Sequence, residues 1–397
     1  MSTSSPDSPP SLVNDGTLDE ISRNDLGVSS VTASITNVKY LASYNWIKDT
    51  KGKKRTIAVP GSPALWRPPP GDFTDVKEDH GLVHLHPNAA FHRDSPLESL
   101  FRALYMKDPS YTLDSVDIVV GRDVLSWLLE FVTHPIHGPL RIFALEAEVV
   151  QNTVLLCRVP SRTVQYLLSD RHHGYQREFK KAYTSPQIQG DMGHQRIISY
   201  QLSGMKLIVR HEMDACIRET PPIPAVKREQ VRFTDNQVSL GLMAAGGPEM
   251  PMESTLEIKT FPMAQFSNSL TPLLPDLWLS QTPNLVRAYH ENGQFDNPEV
   301  ENITDNIKAW EKVHQPQIQK LVSLLQCIVE ISKLYSGSNI IFTYDHQRDI
   351  LVVTKREKPD EDEERAQGGR LLPDDLYRWF EWGQIERPNS PSKWQYI

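Results

Sequence analysis

A chain of 397 residues with 39% hydrophobic content, eight tryptophans and a mean hydropathy of −0.44 is long enough for one large domain or two ordinary ones, either with a sizeable core. Its apolar residues never run for the about 18 positions that a membrane-spanning helix needs, so no membrane partner is expected. A net charge of −8 excludes a basic surface that binds nucleic acid everywhere, and confines any such binding to a local groove.

In chain order, residues 1–35 are rich in Ser, Pro, Asp and Asn and are expected to form a disordered tail, because so little burial cannot offset the entropy of ordering. The opening "MSTSSPDSPPSLVNDG" lacks the basic-then-apolar pattern of a secretory signal, which points to cytosol or nucleus. Alternation in "VKYLASYNWI" begins the folded region, taken as 36–356, and "IAVPGSPALWRPPP" reads as a short strand followed by a rigid extended segment. "SPLESLFRALYMK" predicts a helix with Ser95 as N-cap, Pro96 at the first helical position and Glu98 completing a capping box. "VDIVVGRDVLSWLLEFV" runs from strand to helix with Arg122 at the junction, and "RIFALEAEVVQNTVLLCRV" predicts two strands turning at Gln151-Asn152. "DRHHGYQREFKKAYTS" is polar and helical in pattern, whereas "HQRIISYQLSGMKLIVRHEMDA" predicts two strands turning at Ser203-Gly204.

Residues 219–253, rich in proline and methionine, read as an irregular insertion. "LPDLWLSQTPNLVRAYHENG" predicts a helix leading into a strand, and "ITDNIKAWEKVHQPQIQKLVSLLQCIVEISKLY" a long helix interrupted near Pro316. "NIIFTYDHQRDILVVTKRE" reads as a strand, after which the acidic run "PDEDEERAQGG" opens a polar extension, 357–397. Hairpins mixed with helices favour an α+β sheet over a doubly wound one. Cys157, Cys216 and Cys327 lack CxxC spacing and read as reduced thiols, without disulfide or structural zinc.

Two strand candidates carry charge where apolar alternation would be expected. In "STLEIKT", Glu257 and Lys259 are two apart and therefore share a face; in "LIVRHEMDACI", so do Glu212 and Asp214. Either strand alone is better explained by a solvated face. Both together, followed by a helix candidate bearing Gln281, favour a site, because crowded carboxylates repel unless a cation neutralises them. Oxygen-rich sites of this kind suit Mg²⁺ or Mn²⁺. Arg171, Arg177, Lys180, Lys181, Lys206 and Arg210 would line a phosphate groove or a solvated face about equally well. His84 and His86 as a zinc pair, and Asp360–Glu364 as a prenyl-diphosphate motif, are weaker than a loop reading of each. GxGxxG, P-loop and GxSxG motifs are all absent.

The charged strands, taken with "GYQRE", "VVGRDVLSWLL" and "LWLSQTPNLVRAYHENG" in that family's order over residues 115–295, resemble the DXO/Dom3Z family of decapping exoribonucleases, built on a PD-(D/E)XK nuclease core. The resemblance implies a single catalytic domain with a mixed sheet flanked by helices. Glu178, Glu212, Asp214, Glu257 and the carbonyl of Ile258 would hold divalent metal (Mg²⁺ or Mn²⁺), with Lys259 and Gln281 positioning water or the scissile phosphate and Arg122 holding a 5′ phosphate. It implies a nuclear hydrolase that removes aberrant RNA 5′ ends (triphosphate, incompletely methylated cap, nicotinamide-dinucleotide cap), with or without 5′–3′ exonuclease activity. The alternative is a noncatalytic stabilising partner of a nuclear 5′–3′ exoribonuclease. Two features depart from the family pattern: Arg177 stands at the hydrophobic position of "GYQRE", and the interval from Asp214 to Glu257 is long.

Overall fold

The computed structural model describes residues 16–48, 55–84, 88, 91, 95–133, 141–159, 164–167, 174–217, 230–232, 240–244, 250–356, 370–382 and 395–396. Two mixed sheets with helices packed against them make an α+β fold of one domain. No helix among the described residues is long and apolar enough to cross a membrane.

The larger sheet has 13 strands. Its centre is a hairpin, Asp191–Leu202 with Met205–Met213, turning at Ser203 (φ 50°) and Gly204 (φ 87°). Paired left-handed residues match the twist of flanking strands in a two-residue turn. Ile35–Ile47 adds on one side, and Ile118–Gly121, then Thr153–Arg158, add in parallel on the other. Central strands this apolar, such as "IVVG", are covered on both faces. Helices Arg122–Thr133 and Gln315–Leu334 bury Leu125, Leu128, Phe131, Leu321 and Leu325 on one face. Helices Glu98–Lys107 and Asp374–Trp382 bury Phe101, Leu104, Leu376 and Phe380 on the other.

The smaller sheet has 8 strands and is built on Thr255–Pro262, parallel to Asn284–Glu291. The chain passes between sheets at Asp214: Met205–Met213 belongs to the first, and Ala215–Cys216 pairs with Leu256 and Thr255 in the second. This crossover positions the site. Helix Gln176–Tyr183 lies along the second sheet and buries Phe179 and Tyr183 against Ile258 and Phe295.

Several expectations need correction. Of the tail 1–35, Thr17–Ser22 forms an edge strand paired with Ile350–Lys355; Ile21 on that strand, and Leu26 and Ala33 after it, are buried in the main core and tie the segment down. The capping box does not form. The helix begins at Glu98, whose carboxylate takes two hydrogen bonds from Arg102 (3.0 and 3.1 Å) instead of returning to Ser95. "NIIFTYDHQRDILVVTKRE" is a hairpin, Ile340–Asp345 with Ile350–Lys355. Within 219–253, Leu240–Ala244 lies parallel to Arg55–Val59. From the extension 357–397, residues 370–382 join the core, with Leu371, Leu372 and Leu376 buried. His86, Arg171 and Asp360–Glu364 lie outside the described residues.

Candidate active site

Glu257 lies at the centre of a charged cluster. Its side chain is 4% exposed; Oε1 is 2.8 Å from Lys259 Nζ and Oε2 accepts a 3.3 Å hydrogen bond from Arg122 Nη1. The strand alternation of Glu257 and Lys259 thus produces an ion pair on one face, and the helix that starts directly after Ile118–Gly121 delivers Arg122 to it. Burial works against ionisation of Glu257, yet Arg122, Lys259 and Lys180 outweigh it and hold the carboxyl well below its usual range. The same attraction raises Lys259, chiefly through Glu257.

Asp214 sits where the chain changes sheets. Its Oδ2 accepts from Ile258 N (2.8 Å), replacing a ladder bond that no strand supplies at that point, and its Oδ1 accepts from Lys180 Nζ. Next along the same strand edge, Gln176 donates Nε2–H to Ile258 O (2.6 Å) and accepts from Thr260 N (2.8 Å). Gln176 and Lys180, one helical turn apart, therefore present one helix face to the Thr255–Pro262 strand.

Glu212 differs from its neighbours. Its carboxylate makes no hydrogen bond or ion pair with a described residue, and the side chain stays open to solvent on one side while the surrounding protein removes part of its water. That loss of water, with the repulsion of Asp214 and Glu257 set against the pull of Lys180, raises its pKa. Beside it His211 is buried and pushed down to about 3 by burial and by the charges of Arg122 and Arg196.

The structure brings Arg122, Glu212, Asp214, Glu257 and Lys259 together, with Ile258 between them. Glu178 is not joined to them among the described residues: it pairs with Lys181 (2.5 Å) across one helical turn. Gln281, in a left-handed cap (φ 53°), turns its amide back to Trp278 O, 2.5 Å away. Glu212 and Asp214 both reach the cluster, although the Met205–Met213 strand ends between them and Asp214 stands at the passage to the second sheet. Of the described basic residues proposed for a phosphate groove, Lys180 joins the cluster, whereas Lys206 bonds Ser115, Arg210 bonds Pro96 O and Arg177 bonds Leu82 O. His84 packs edge-on against Phe91.

Sequence reasoning missed two positioning residues. Gln176 could have been found from its i, i+4 spacing to Lys180. Asp79 accepts from Arg177 N (3.0 and 3.1 Å) and Glu178 N (2.9 Å), capping that helix from about a hundred residues away, and no local pattern marks it.

Among the described residues no group of three or more His, Cys, Asp or Glu side chains stands at metal-holding spacing. The donors are nevertheless chemically suited to a hard divalent cation: they are carboxylate oxygens, and Glu212 has a raised pKa and lacks a partner. What stands in the way is Lys180, the cation already on Asp214.

The profile of a family described as "Domain of unknown function (DUF8563)" matches residues 18–360. The chain belongs to that family. No curated protein matches it. Its fold is that of the Rai1/DXO decapping exoribonucleases, as the motifs led us to expect. Rai1 of Scheffersomyces stipitis, solved with (3′-NADP)⁺ and calcium ion, is 12% identical with a TM-score of 0.58, over 92% of this chain and 100% of that one. Candida albicans Rai1, solved with pU5-Mn²⁺, is 13% identical with a TM-score of 0.55, over 90% of this chain and 98% of that one. S. pombe Rai1 is 12% identical with a TM-score of 0.55, over 85% and 99%.

Proposed function

We propose that this protein is a hydrolase of RNA 5′ ends assisted by a divalent cation, Mg²⁺ or Mn²⁺. Its substrates would be triphosphate, incompletely methylated and nicotinamide-dinucleotide-capped ends, with 5′–3′ exonuclease activity as an accompanying function and the nucleus as its location. The observation that carries this is the convergence of Glu212, Asp214 and Glu257 with Lys259 at the sheet crossover, in a fold whose solved examples hold nucleotides, RNA, manganese and calcium.

Glu212, Asp214 and Glu257 would hold the cation, with Glu178 and the Ile258 carbonyl adding donors on the family resemblance. The chemistry supplied there is polarisation of a phosphoryl oxygen and activation of water. Glu212, whose carboxylate has no partner among the described residues, would help to orient the attacking water beside the cation. Lys259, oriented by Glu257, and Arg122 present positive charge to the phosphoryl oxygens. Gln281 would position water once its amide leaves Trp278 O.

The test is release of label from RNAs bearing triphosphate, unmethylated-cap, methylated-cap, dinucleotide-cap or monophosphate ends, with Mg²⁺ or Mn²⁺. Wild type should release the label only with metal, and Glu257→Gln should abolish release. Undiminished turnover by a folded Glu257→Gln protein refutes the reading. One observation favours the noncatalytic alternative, a stabilising partner of a nuclear 5′–3′ exoribonuclease: both carboxylate oxygens of Asp214 and of Glu257 are already engaged by protein groups. A protein inert on every end that recovers such an exoribonuclease from nuclear extract would establish it.

A further inference from the structure

The sheet face that carries Glu257 and Lys259 continues beyond them. Side chains two apart on a strand share a face, so Phe261 follows Lys259. The parallel neighbour sets Arg287 beside Lys259 and Tyr289 beside Phe261. Rings of Phe261 and Tyr289 have centroids 5.6 Å apart at an angle of 31°. Phe266, from the turn after the strand, packs on Tyr289 at 4.9 Å and is 59% exposed. That turn is pinned. The carbonyl of Ser267 accepts from Tyr289 OH (3.0 Å) and Arg287 Nη1 (2.8 Å), and Arg287 is fixed by two 2.8 Å bonds to Glu301. An aromatic ring is thereby held in place and left open to water beside the charged cluster's strand.

We infer that Phe261, Tyr289 and Phe266 form a stacking platform for a nucleobase of single-stranded RNA whose 5′ end lies in the carboxylate cluster. This rests on the proposed function and adds a substrate-binding surface to it. Strand geometry puts Phe261 about 13 Å along the face from Glu257, within reach of the first nucleotides of a strand whose 5′ end sits at the cluster. Cations precede rings along that path, Lys259 and Arg287 before Phe261 and Tyr289, the combination by which grooves take a phosphate backbone and stack its bases without reading sequence. Paired bases have no free face to offer, so the platform selects a single strand.

The test is equilibrium binding of a fluorescent single-stranded uridine oligomer to the full chain in EDTA, which prevents hydrolysis. Phe266→Ala should weaken binding about 5- to 150-fold, the range for loss of one base–aromatic stack, whereas Phe266→Trp should bind as well as wild type. Phe261→Leu, which keeps apolar packing and removes the π face, should also weaken it. On an oligomer with abasic positions next to the 5′ end, wild type should fall to the level of Phe266→Ala, and the variant should lose nothing more. Equal affinity of wild type and Phe266→Ala, or an undiminished difference on the abasic strand, overturns the platform and leaves the hydrolase reading standing. Wild type that binds no single-stranded RNA overturns the platform as well, while metal-dependent release of label decides the hydrolase reading separately.

Discussion

Replacing Lys180 with Gln should tighten divalent-cation binding. The Lys180 ammonium donates to Asp214 Oδ1, with the two side chains only 28% and 5% exposed. Burial works against its charge, but Asp214, Glu212 and Glu257 hold it protonated well beyond an ordinary lysine. A cation that uses Asp214 must first break this bond, and a hydrogen bond between charged groups with so little solvent is worth about 1.5–3 kcal/mol. Removing the competitor should therefore lower the Kd for Mn²⁺ by about 10- to 150-fold. Glutamine keeps much of the side-chain volume and leaves Asp214 a neutral donor, so the fold should survive. The assay is Mn²⁺ titration followed by electron paramagnetic resonance, with thermal unfolding as a second readout, since a ligand bound only to the native state raises Tm as its concentration exceeds Kd. Mn²⁺ should raise the Tm of Lys180→Gln more than that of wild type. Equal or weaker Mn²⁺ binding by a folded Lys180→Gln protein refutes the competition, and failure of both proteins to bind Mn²⁺ refutes the metal-assisted mechanism itself.

Asp79→Ala removes the cap on Arg177 N and Glu178 N and should cost about 1–2 kcal/mol in urea unfolding; an unchanged midpoint at unchanged slope would show the cap to be dispensable. His194 is buried with Nδ1 3.0 Å from Asn45 Oδ1, and burial, then the charges of Arg196 and His211, hold its pKa well below 6.5. Its unfolded form binds a proton below about pH 6.5 that the native form does not, so stability should fall as pH drops through that point, by up to about 1.4 kcal/mol per pH unit. Urea unfolding at several pH values should show a shallower dependence for His194→Gln than for wild type, and identical slopes would contradict this assignment.

What was legible in the sequence was whatever a strand or helix period controls. Ser203-Gly204, the Arg122 junction and the Glu257–Lys259 pair all follow from local alternation and turn chemistry, and each is found where the pattern put it. Failures arise where tertiary structure interrupts a period. The passage of the chain from one sheet to the other falls just after Met213, which no local period marks, so Asp214 stands in for a backbone partner of Ile258. Glu98 was free to cap its helix until Arg102 and Asp375, from a helix far along the chain, claimed the same pocket. Glu178 comes from its motif and pairs with Lys181 in this structure, whereas Gln176 and Lys180 of the same helix bond Ile258 and Asp214.

The charge balance of the cluster connects its folding to its chemistry. Buried carboxylates without partners would cost several kcal/mol each, yet Asp214 and Glu257 are both 5% exposed or less. Lys180, Arg122 and Lys259, from separate elements, supply the compensating charge within the chain, so the crossover can form before any cation binds. The same compensation would set the terms for the proposed catalysis. Lys259 and Arg122 can stay on Glu257 and still face a phosphate, but Lys180 competes for the Asp214 oxygen that a cation needs. Glu212, the carboxylate of the cluster without a partner among the described residues, would offer an incoming cation its first donor, with Asp214 available only once Lys180 gives way.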